Sequence, residues 1–143
     1  MSAPLAFRAF READADAVVA LWNACGLLRP WNDPRKDIAR KLAVQRDLFL
    51  VGCEGGAIVA TAMAGYDGHR GWIYYFAVAP SHRRRGVGRA LLAEVESRLR
   101  AIGCAKINLQ VRGDNAEAIA FWQRLGFGRD DTTSLGKRLE RDE

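Results

Sequence analysis

A run of arginines lies directly before two glycines near the middle of the chain. Residues 83–85 are all arginine, Gly86 and Gly88 follow, and Arg89 comes next. Glycine at these two positions leaves the backbone open to the close approach of an anion. If the glycines begin a helix, its first N–H groups lack helical partners and the helix dipole attracts negative charge. Neighbouring guanidinium groups add charge-assisted hydrogen bonds, so the pattern predicts a phosphate or pyrophosphate site.

Two better-known phosphate motifs do not fit this stretch. The Walker motif places Lys and then Ser or Thr after its second glycine, whereas Arg89 and Ala90 stand here. The dinucleotide motif needs a third small residue where this chain has Leu91. Glycines also mark ordinary turns, so a basic surface turn is the alternative interpretation of the arginine run.

The flanking sequence predicts the elements that position this loop. Residues 72–79 are rich in aromatic and branched side chains and stop at Pro80, which is typical of a strand. Beyond the glycines, apolar residues recur at helical spacing as far as Gly103. Along the whole chain, strands are predicted at residues 5–9, 48–53, 57–66, 72–79, 105–112 and about 132–139, and helices begin near Asp14, Asp33, Gly86 and Asn115.

The order of these elements, β-α-α-β-β-β-α-β-α-β, indicates the fold class. It predicts a mixed α/β (α+β-like) architecture, with a single sheet and helices packed on it. The sequence contains no internal repeat, low-complexity segment or linker. We therefore expect residues 1–143 to form one domain.

The composition excludes several classes of protein. The chain has 143 residues, of which 49% are apolar and 27% charged, as in a globular protein. No apolar stretch approaches the roughly 18 residues of a membrane span, and we expect no signal peptide. The three cysteines lack metal-ligand spacing, so we expect reduced thiols, no metal site and a cytoplasmic location.

Two segments together resemble the GNAT N-acetyltransferases. Arg83-x-x-Gly86-x-Gly88, after a strand that ends at Pro80, is similar to the acetyl-CoA signature of that family. Residues 115–127, NAEAIAFWQRLGF, resemble the family's following helix, N-x-x-A-x-x-F-Y-x-x-x-G-F. Both lie in the family's order and spacing, and the resemblance covers nearly the whole chain.

Finer segments resemble the bacterial YpeA-type branch of this family. They are LLRPWNDP at 27–34, GYDGHRG at 65–71 and SLGKRL at 134–139. The resemblance implies the GNAT acyl-CoA N-acyltransferase fold, with about six to seven strands and about four helices. It also implies transfer of an acetyl group from acetyl-CoA, as co-substrate and without a metal, to a primary amine that attacks the thioester directly.

The resemblance assigns roles to individual residues of the cofactor site. The strand around Phe76 would bind the pantetheine arm, and the backbone amide of Phe76 or Ala77 would stabilise negative charge on the thioester oxygen. Asn115 would cap its helix and bind the cofactor. The complete set of expected cofactor contacts is Phe76, Ala77, Val78, Arg83, Arg84, Arg85, Gly86, Val87, Gly88, Arg89, Asn115 and Trp122.

The acid and base of the reaction are less clearly marked. Trp122 stands where the family often has a tyrosine, and an indole cannot supply a proton at useful pH. We expect Trp122 to be a core residue, and Tyr74, Tyr75 or water to take over proton transfer. Asp67 and His69 in the preceding turn are the other candidates.

The acceptor would bind at the loop between the first two helices. That loop supplies Arg29, Trp31, Asn32 and Asp33, which mix both signs of charge with an aromatic ring. We expect a small-molecule or peptide amine, and a monomer or homodimer. No membrane partner is expected.

Two other functions compete with the enzyme. Because the usual tyrosine is missing, a catalytically weak CoA-binding regulatory or sensor module is the first alternative. A nucleic-acid-binding module is the second, since the net charge is +5. The chain lacks the basic stripe interleaved with exposed aromatic residues that single-strand binders use, so we expect no nucleic-acid partner.

Overall fold

Five strands form one mixed sheet in the computed structural model, which describes residues 4–142. The strands lie in chain order, with the first four antiparallel to their neighbours and the last pair parallel. The strands are β1 Leu5–Ala9, β2 Phe49–Glu54, β3 Ala57–Tyr66, β4 Gly71–Val78 and β5 Ile107–Leu109. The helices are α1 Ala15–Ala24, α2 Pro34–Leu42, α3 Val87–Ala101 and α4 Ala116–Arg124.

Helices cover both faces of the sheet. On one face, Trp22 of α1 and Ile38 of α2 join a buried cluster with Phe49 of β2. On the other, α3 and α4 bury Leu91 and Trp122 against the sheet. The predicted mixed α/β class is therefore confirmed. No helix within residues 4–142 is both long and apolar enough to cross a membrane.

The predicted number of strands is wrong. The sheet has five strands rather than six to seven, because residues 132–139 do not pair with the sheet. The large apolar side chains of this segment are not buried, since Leu135 and Leu139 are 91% and 86% exposed. Between β5 and residues 125–134 lies an open cleft of about 1080 Å³.

The C-terminal end is instead attached to α2. The Asp142 carboxylate is buried and accepts hydrogen bonds from the Asp33 amide, at 2.9 Å, and from the Arg40 guanidinium. These contacts, led by Arg40, lower the pKa of Asp142 to about 2. The terminal segment therefore stabilises the first turn of α2 rather than extending the sheet.

Gly71 allows β4 to pack closely beside α3. A methyl group at this position would lie 2.8 Å from Cys104 Sγ and 3.1 Å from Leu99 Cδ1. We therefore expect Gly71→Ala to lower the free energy of unfolding by about 1–3 kcal/mol through overpacking. Urea unfolding followed by fluorescence measures this change.

The matched control for this prediction is Gly113→Ala. A methyl group at Gly113 would meet no atom within 4 Å, so the unfolding midpoint should stay close to that of the wild type. Equal losses in the two variants would contradict the packing explanation, because only Gly71 lies against buried neighbours.

Candidate active site

Strands β4 and β5 separate after three residue pairs. Residues 71–73 pair in parallel with Ile107–Leu109, and the described part of the chain contains no further pair between the two strands. From Tyr74 to Val78, the edge of β4 that faces β5 is therefore open. Backbone groups on such an edge can bind an extended ligand as an added strand. We call this opening the β4–β5 gap.

The hydrogen bonds to β3 determine which β4 amides face the gap. The Ala79 N–H donates to the Val59 carbonyl at 2.7 Å. Because alternate residues of a strand turn their N–H groups to the same side, the Ala77 amide also points to β3. The Phe76 and Val78 amides then point into the β4–β5 gap.

A β-bulge interrupts β4 at the point where the gap opens. Between the pairs Thr61–Ala77 and Met63–Tyr74, β4 contributes two residues and β3 only one. Tyr75 is one of the two, and its φ of 49° lies in the left-handed region that non-glycine residues rarely adopt. The extra residue therefore changes the alternation of side chains along β4.

The change of alternation appears in the packing of the strand. Ile73 and Phe76, three residues apart, both pack in the cluster under α3 and α4. In a regular strand, residues three apart point to opposite faces. Tyr75 and Ala77 pack in the cluster under α1 and α2. The bulge thus reverses the alternation of side chains between the two faces of the sheet in the second half of β4.

Three contacts hold Tyr75 in this conformation. Its ring stacks on Trp22 with centroids 3.9 Å apart. Its carbonyl accepts a hydrogen bond from the buried Thr61 hydroxyl at 2.8 Å, and Thr61 in turn accepts one from Trp22 Nε1 at 2.9 Å. Its own hydroxyl donates to Asp37 Oδ2 at 2.7 Å. Burial and the Asp37 carboxylate raise the pKa of Tyr75, so the hydroxyl keeps its proton at neutral pH.

The loop before α3 presents unpaired N–H groups. Arg84 and Gly86 have φ angles of 63° and 79°, and the first helical bond runs from the Ala90 amide to the Gly86 carbonyl at 3.0 Å. The amides of residues 87–89 therefore have no partner within the helix. These donors and the positive end of the helix dipole can bind an anion.

The guanidinium groups around this loop have no acidic partners. Arg83, Arg84, Arg85 and Arg89 are exposed, and none of them forms an ion pair within residues 4–142. Arg83 Nε lies 3.4 Å from the Val78 carbonyl, which places this side chain beside the end of β4. The positive charge therefore lies at the open end of the β4–β5 gap.

The structure changes the explanation for the two glycines. Gly88 is buried, and a methyl group there would lie 3.1 Å from Phe121 and 3.6 Å from Val78. Its small size allows α3 to pack against α4 and β4, while its role in admitting an anion stays a prediction. At Gly86 the requirement is conformational, since its φ is positive and nothing lies within 4 Å.

Helix α4 contributes a cap and a buried aromatic ring. Asn115 Oδ1 accepts a hydrogen bond from the Ala118 amide at 3.0 Å, which confirms the predicted cap. Trp122 is 9% exposed and packs edge-on against Phe76 and Phe127 at 4.7 and 5.1 Å, which confirms the predicted core role. Its contact with Phe76 also brings α4 next to the gap.

The loop before α2 covers the far end of β5. Arg112 lies 5.5 Å over the ring of Trp31, which is 45% exposed. Asn32 accepts a hydrogen bond from Arg138, and Asp33 caps α2 by accepting the amides of residues 35 and 36. Within the described residues, the Arg29 side chain donates to the carbonyls of Gly26 and Leu28 in its own loop. These contacts hold the side chains of Trp31, Asn32 and Asp33 in place.

Asp67 and His69 lie at the other end of β4. Asp67 Oδ1 accepts the amides of Arg70 and His69 at 2.7 and 2.8 Å, and these bonds lower the pKa of Asp67. Five residues of strand, about 16 Å, separate the start of β4 from Phe76. Tyr74 is nearer to the gap, and its half-exposed ring stacks on Trp72 at 6.5 Å.

Sequence reasoning missed the residues that hold the bulge. Trp22 matches ordinary helical core spacing, and Asp37 looks like an exposed helix residue. Thr61 offers a weak signal, as one hydroxyl within the apolar stretch of residues 57–64. A buried hydroxyl in a strand needs a partner, and here it has two.

Comparison with solved structures gives the fold. The ribosomal-protein-S18-alanine N-acetyltransferase from Escherichia coli matches with a TM-score of 0.73 and 25% identity, over 89% of this chain and 79% of that one. An aminoglycoside N-acetyltransferase, AAC(6')-Iy, solved in complex with CoA, matches with a TM-score of 0.74 and 19% identity over 97% of each chain. Both neighbours are acetyltransferases.

Sequence comparison gives the family. The model for the acetyltransferase (GNAT) family matches residues 10–127. An acetyltransferase from Sodalis glossinidius is 50% identical over 137 residues, covering 95% of this chain and 96% of the relative. One from Pectobacterium atrosepticum is 50% identical over 135 residues, covering 94% and 96%. The chain belongs to the GNAT acetyltransferase family, while closeness to the YpeA-type branch stays a prediction.

The Thr61 hydroxyl is the buried link between Trp22 and the bulge. Thr61→Val keeps the volume but leaves the Trp22 N–H and the Tyr75 carbonyl without partners. We expect it to lower the free energy of unfolding by about 1–3 kcal/mol, measured by urea unfolding. Thr61→Ser, which keeps the hydroxyl, should lose less. If the serine variant were the less stable of the two, methyl packing rather than hydrogen bonding would hold this position.

Proposed function

We propose that the protein transfers an acetyl group from acetyl-CoA to a primary amine. The observation that carries this proposal is the alignment of the β4–β5 gap with the unpaired amides and free guanidiniums at the start of α3. The gap suits the extended pantetheine arm, and the α3 loop suits the pyrophosphate. Membership of an acetyltransferase family supports this choice of ligand.

Two sets of residues would hold acetyl-CoA. The Phe76 and Val78 amides, which point into the gap, would bind the pantetheine arm and the thioester carbonyl. The amides of residues 87–89 and the guanidiniums of Arg83, Arg84, Arg85 and Arg89 would bind the phosphates. Trp122 of α4 packs against Phe76 beside the gap, and Asn115 caps the start of the same helix. The Asn115 amide nitrogen and the indole edge would contact the arm.

Acetyl-CoA supplies an activated acyl group and a thiolate leaving group. The protein would lower the barrier mainly through the Phe76 amide, which stabilises the negative charge that develops on the thioester oxygen. A leaving thiol with a pKa of about 8.5 departs without strong acid assistance. The replacement of the family's tyrosine by Trp122 is therefore compatible with turnover.

Proton removal from the acceptor is the remaining requirement. A lysine-like amine has a pKa of about 10.4 and must lose a proton before it attacks. The Tyr75 hydroxyl already donates a hydrogen bond to Asp37, and Asp67 and His69 lie at the far end of β4. We assign proton removal from the amine to water. Burial raises the pKa of Tyr74, so its half-exposed hydroxyl keeps its proton and would donate it to the departing thiolate. The acceptor would enter beside Trp31, Asn32 and Asp33.

A CoA-binding module with little turnover is the second candidate, favoured by the indole at position 122. To distinguish the two, we would incubate the protein with acetyl-CoA and a panel of amino acids, peptides and polyamines. The enzyme releases CoA thiol in step with an acetylated amine detected by mass spectrometry. Tight acetyl-CoA binding with no thiol release from any amine would favour the binding module instead.

The arginine contacts make a separate prediction about affinity. We expect Arg83→Ala to weaken acetyl-CoA binding by about 1–3 kcal/mol, because it removes a charge-assisted hydrogen bond. Isothermal titration calorimetry measures the dissociation constant. Arg100→Ala at the opposite end of α3 is the charge-matched control and should bind normally. Normal binding by Arg83→Ala would show that this side chain does not face the ligand.

A further inference from the structure

We propose that Asp37 and Tyr75 are positioning residues that hold the Phe76 amide in the direction required by the thioester carbonyl. The inference rests on the proposed function, since it assigns a task to the same amide. Neither side chain needs to touch the reacting atoms. They act through the peptide group between residues 75 and 76.

The planar peptide group between Tyr75 and Phe76 connects the bulge to the β4–β5 gap. The Tyr75 carbonyl and the Phe76 N–H belong to one trans peptide group, so they point in opposite directions. Thr61, on β3, donates to that carbonyl at 2.8 Å and so fixes it toward β3. The Phe76 N–H must then point away from β3, into the β4–β5 gap. This direction agrees with the one derived from the Ala79 hydrogen bond.

The orientation of this peptide depends on a strained residue. A left-handed tyrosine persists only where its surroundings hold it, and this one is held at its ring, carbonyl and hydroxyl. The hydroxyl contact with Asp37 is the only one of the three that leaves the buried core. If it is lost, the Tyr75 ring gains freedom and the peptide plane turns with it.

The Asp37 carboxylate is itself held in place by a second side chain, that of Arg40. Its Oδ1 accepts a hydrogen bond from Arg40 at 2.9 Å, while its Oδ2 accepts the one from Tyr75. Arg40 also binds the buried carboxylate of Asp142. A continuous series of hydrogen bonds therefore runs from the C-terminal segment through α2 to the bulge. Because hydrogen bonds in such a series reinforce one another, they restrict the orientation of the Tyr75 side chain more than one isolated hydrogen bond does.

Infrared spectroscopy of bound acetyl-CoA, labelled with ¹³C at the acetyl carbonyl, tests this proposal. A hydrogen bond from the Phe76 amide lowers the carbonyl stretching frequency relative to free acetyl-CoA. Tyr75→Phe removes only the hydroxyl and keeps the ring on Trp22, and Asp37→Asn removes only the charge. We expect Tyr75→Phe and Asp37→Ala to lose most of the shift, while the dissociation constant measured by calorimetry rises by no more than about tenfold. Asp37→Asn should keep part of it.

Asp16→Ala is the matched control. Asp16 lies on α1 and forms a 2.9 Å ion pair with Arg35 on α2, and its side chain is 91% exposed. It should keep the full carbonyl shift. The double variant Tyr75→Phe/Asp37→Ala should lose no more than either single variant, because both remove the same contact.

Each outcome has a distinct meaning. A full shift in both Tyr75→Phe and Asp37→Ala would overturn the positioning role while leaving the proposed function intact. No shift in the wild-type protein would overturn the assignment of the Phe76 amide itself. Loss of the shift in Asp16→Ala as well would show that general loosening, not the Tyr75 contact, turns the peptide.

Discussion

The geometry of the candidate active site depends on one peptide group, the one that joins Tyr75 to Phe76. Its carbonyl is bound to Thr61 on β3, so its N–H faces the open side of β4. This orientation requires Tyr75 to adopt a φ of 49°, a left-handed conformation that costs a non-glycine residue free energy unless surrounding contacts compensate for it. Stacking on Trp22 and burial against α1 supply that compensation. The helices on this face therefore stabilise a backbone direction as well as a core.

The opposite face contributes the other half of the candidate site. Close packing of Gly88 against Phe121 and Val78 fixes the start of α3 beside α4 and the end of β4. The unpaired amides of α3 therefore lie next to the open edge of β4. A flexible ligand with an anionic group and an extended arm is complementary to this pair of features. Each helical layer thus positions one part of the same site.

The sequence predicted the element order as far as α4, the α3 loop and the Asn115 cap, because local patterns encode them. The left-handed glycine, the helical spacing and the capping residue each have signals within a few positions. The bulge was not predictable in this way, since Trp22, Thr61 and Tyr75 meet only in the folded sheet. The predicted last strand failed for a related reason. Residues 132–139 were predicted as a strand, but strand pairing requires a neighbour, and here the segment leaves toward α2.

The central claim is that one ligand occupies the β4–β5 gap and the start of α3 together. Titration of ¹⁵N-labelled protein with CoA, followed by amide chemical shifts, tests it most directly. The account predicts that the amides of Phe76, Val78 and residues 87–89 shift with a single dissociation constant, while those of residues 67–70 do not. Shifts confined to the α3 loop, with Phe76 and Val78 unaffected, would contradict it. The loop would then bind phosphate without placing anything in the gap.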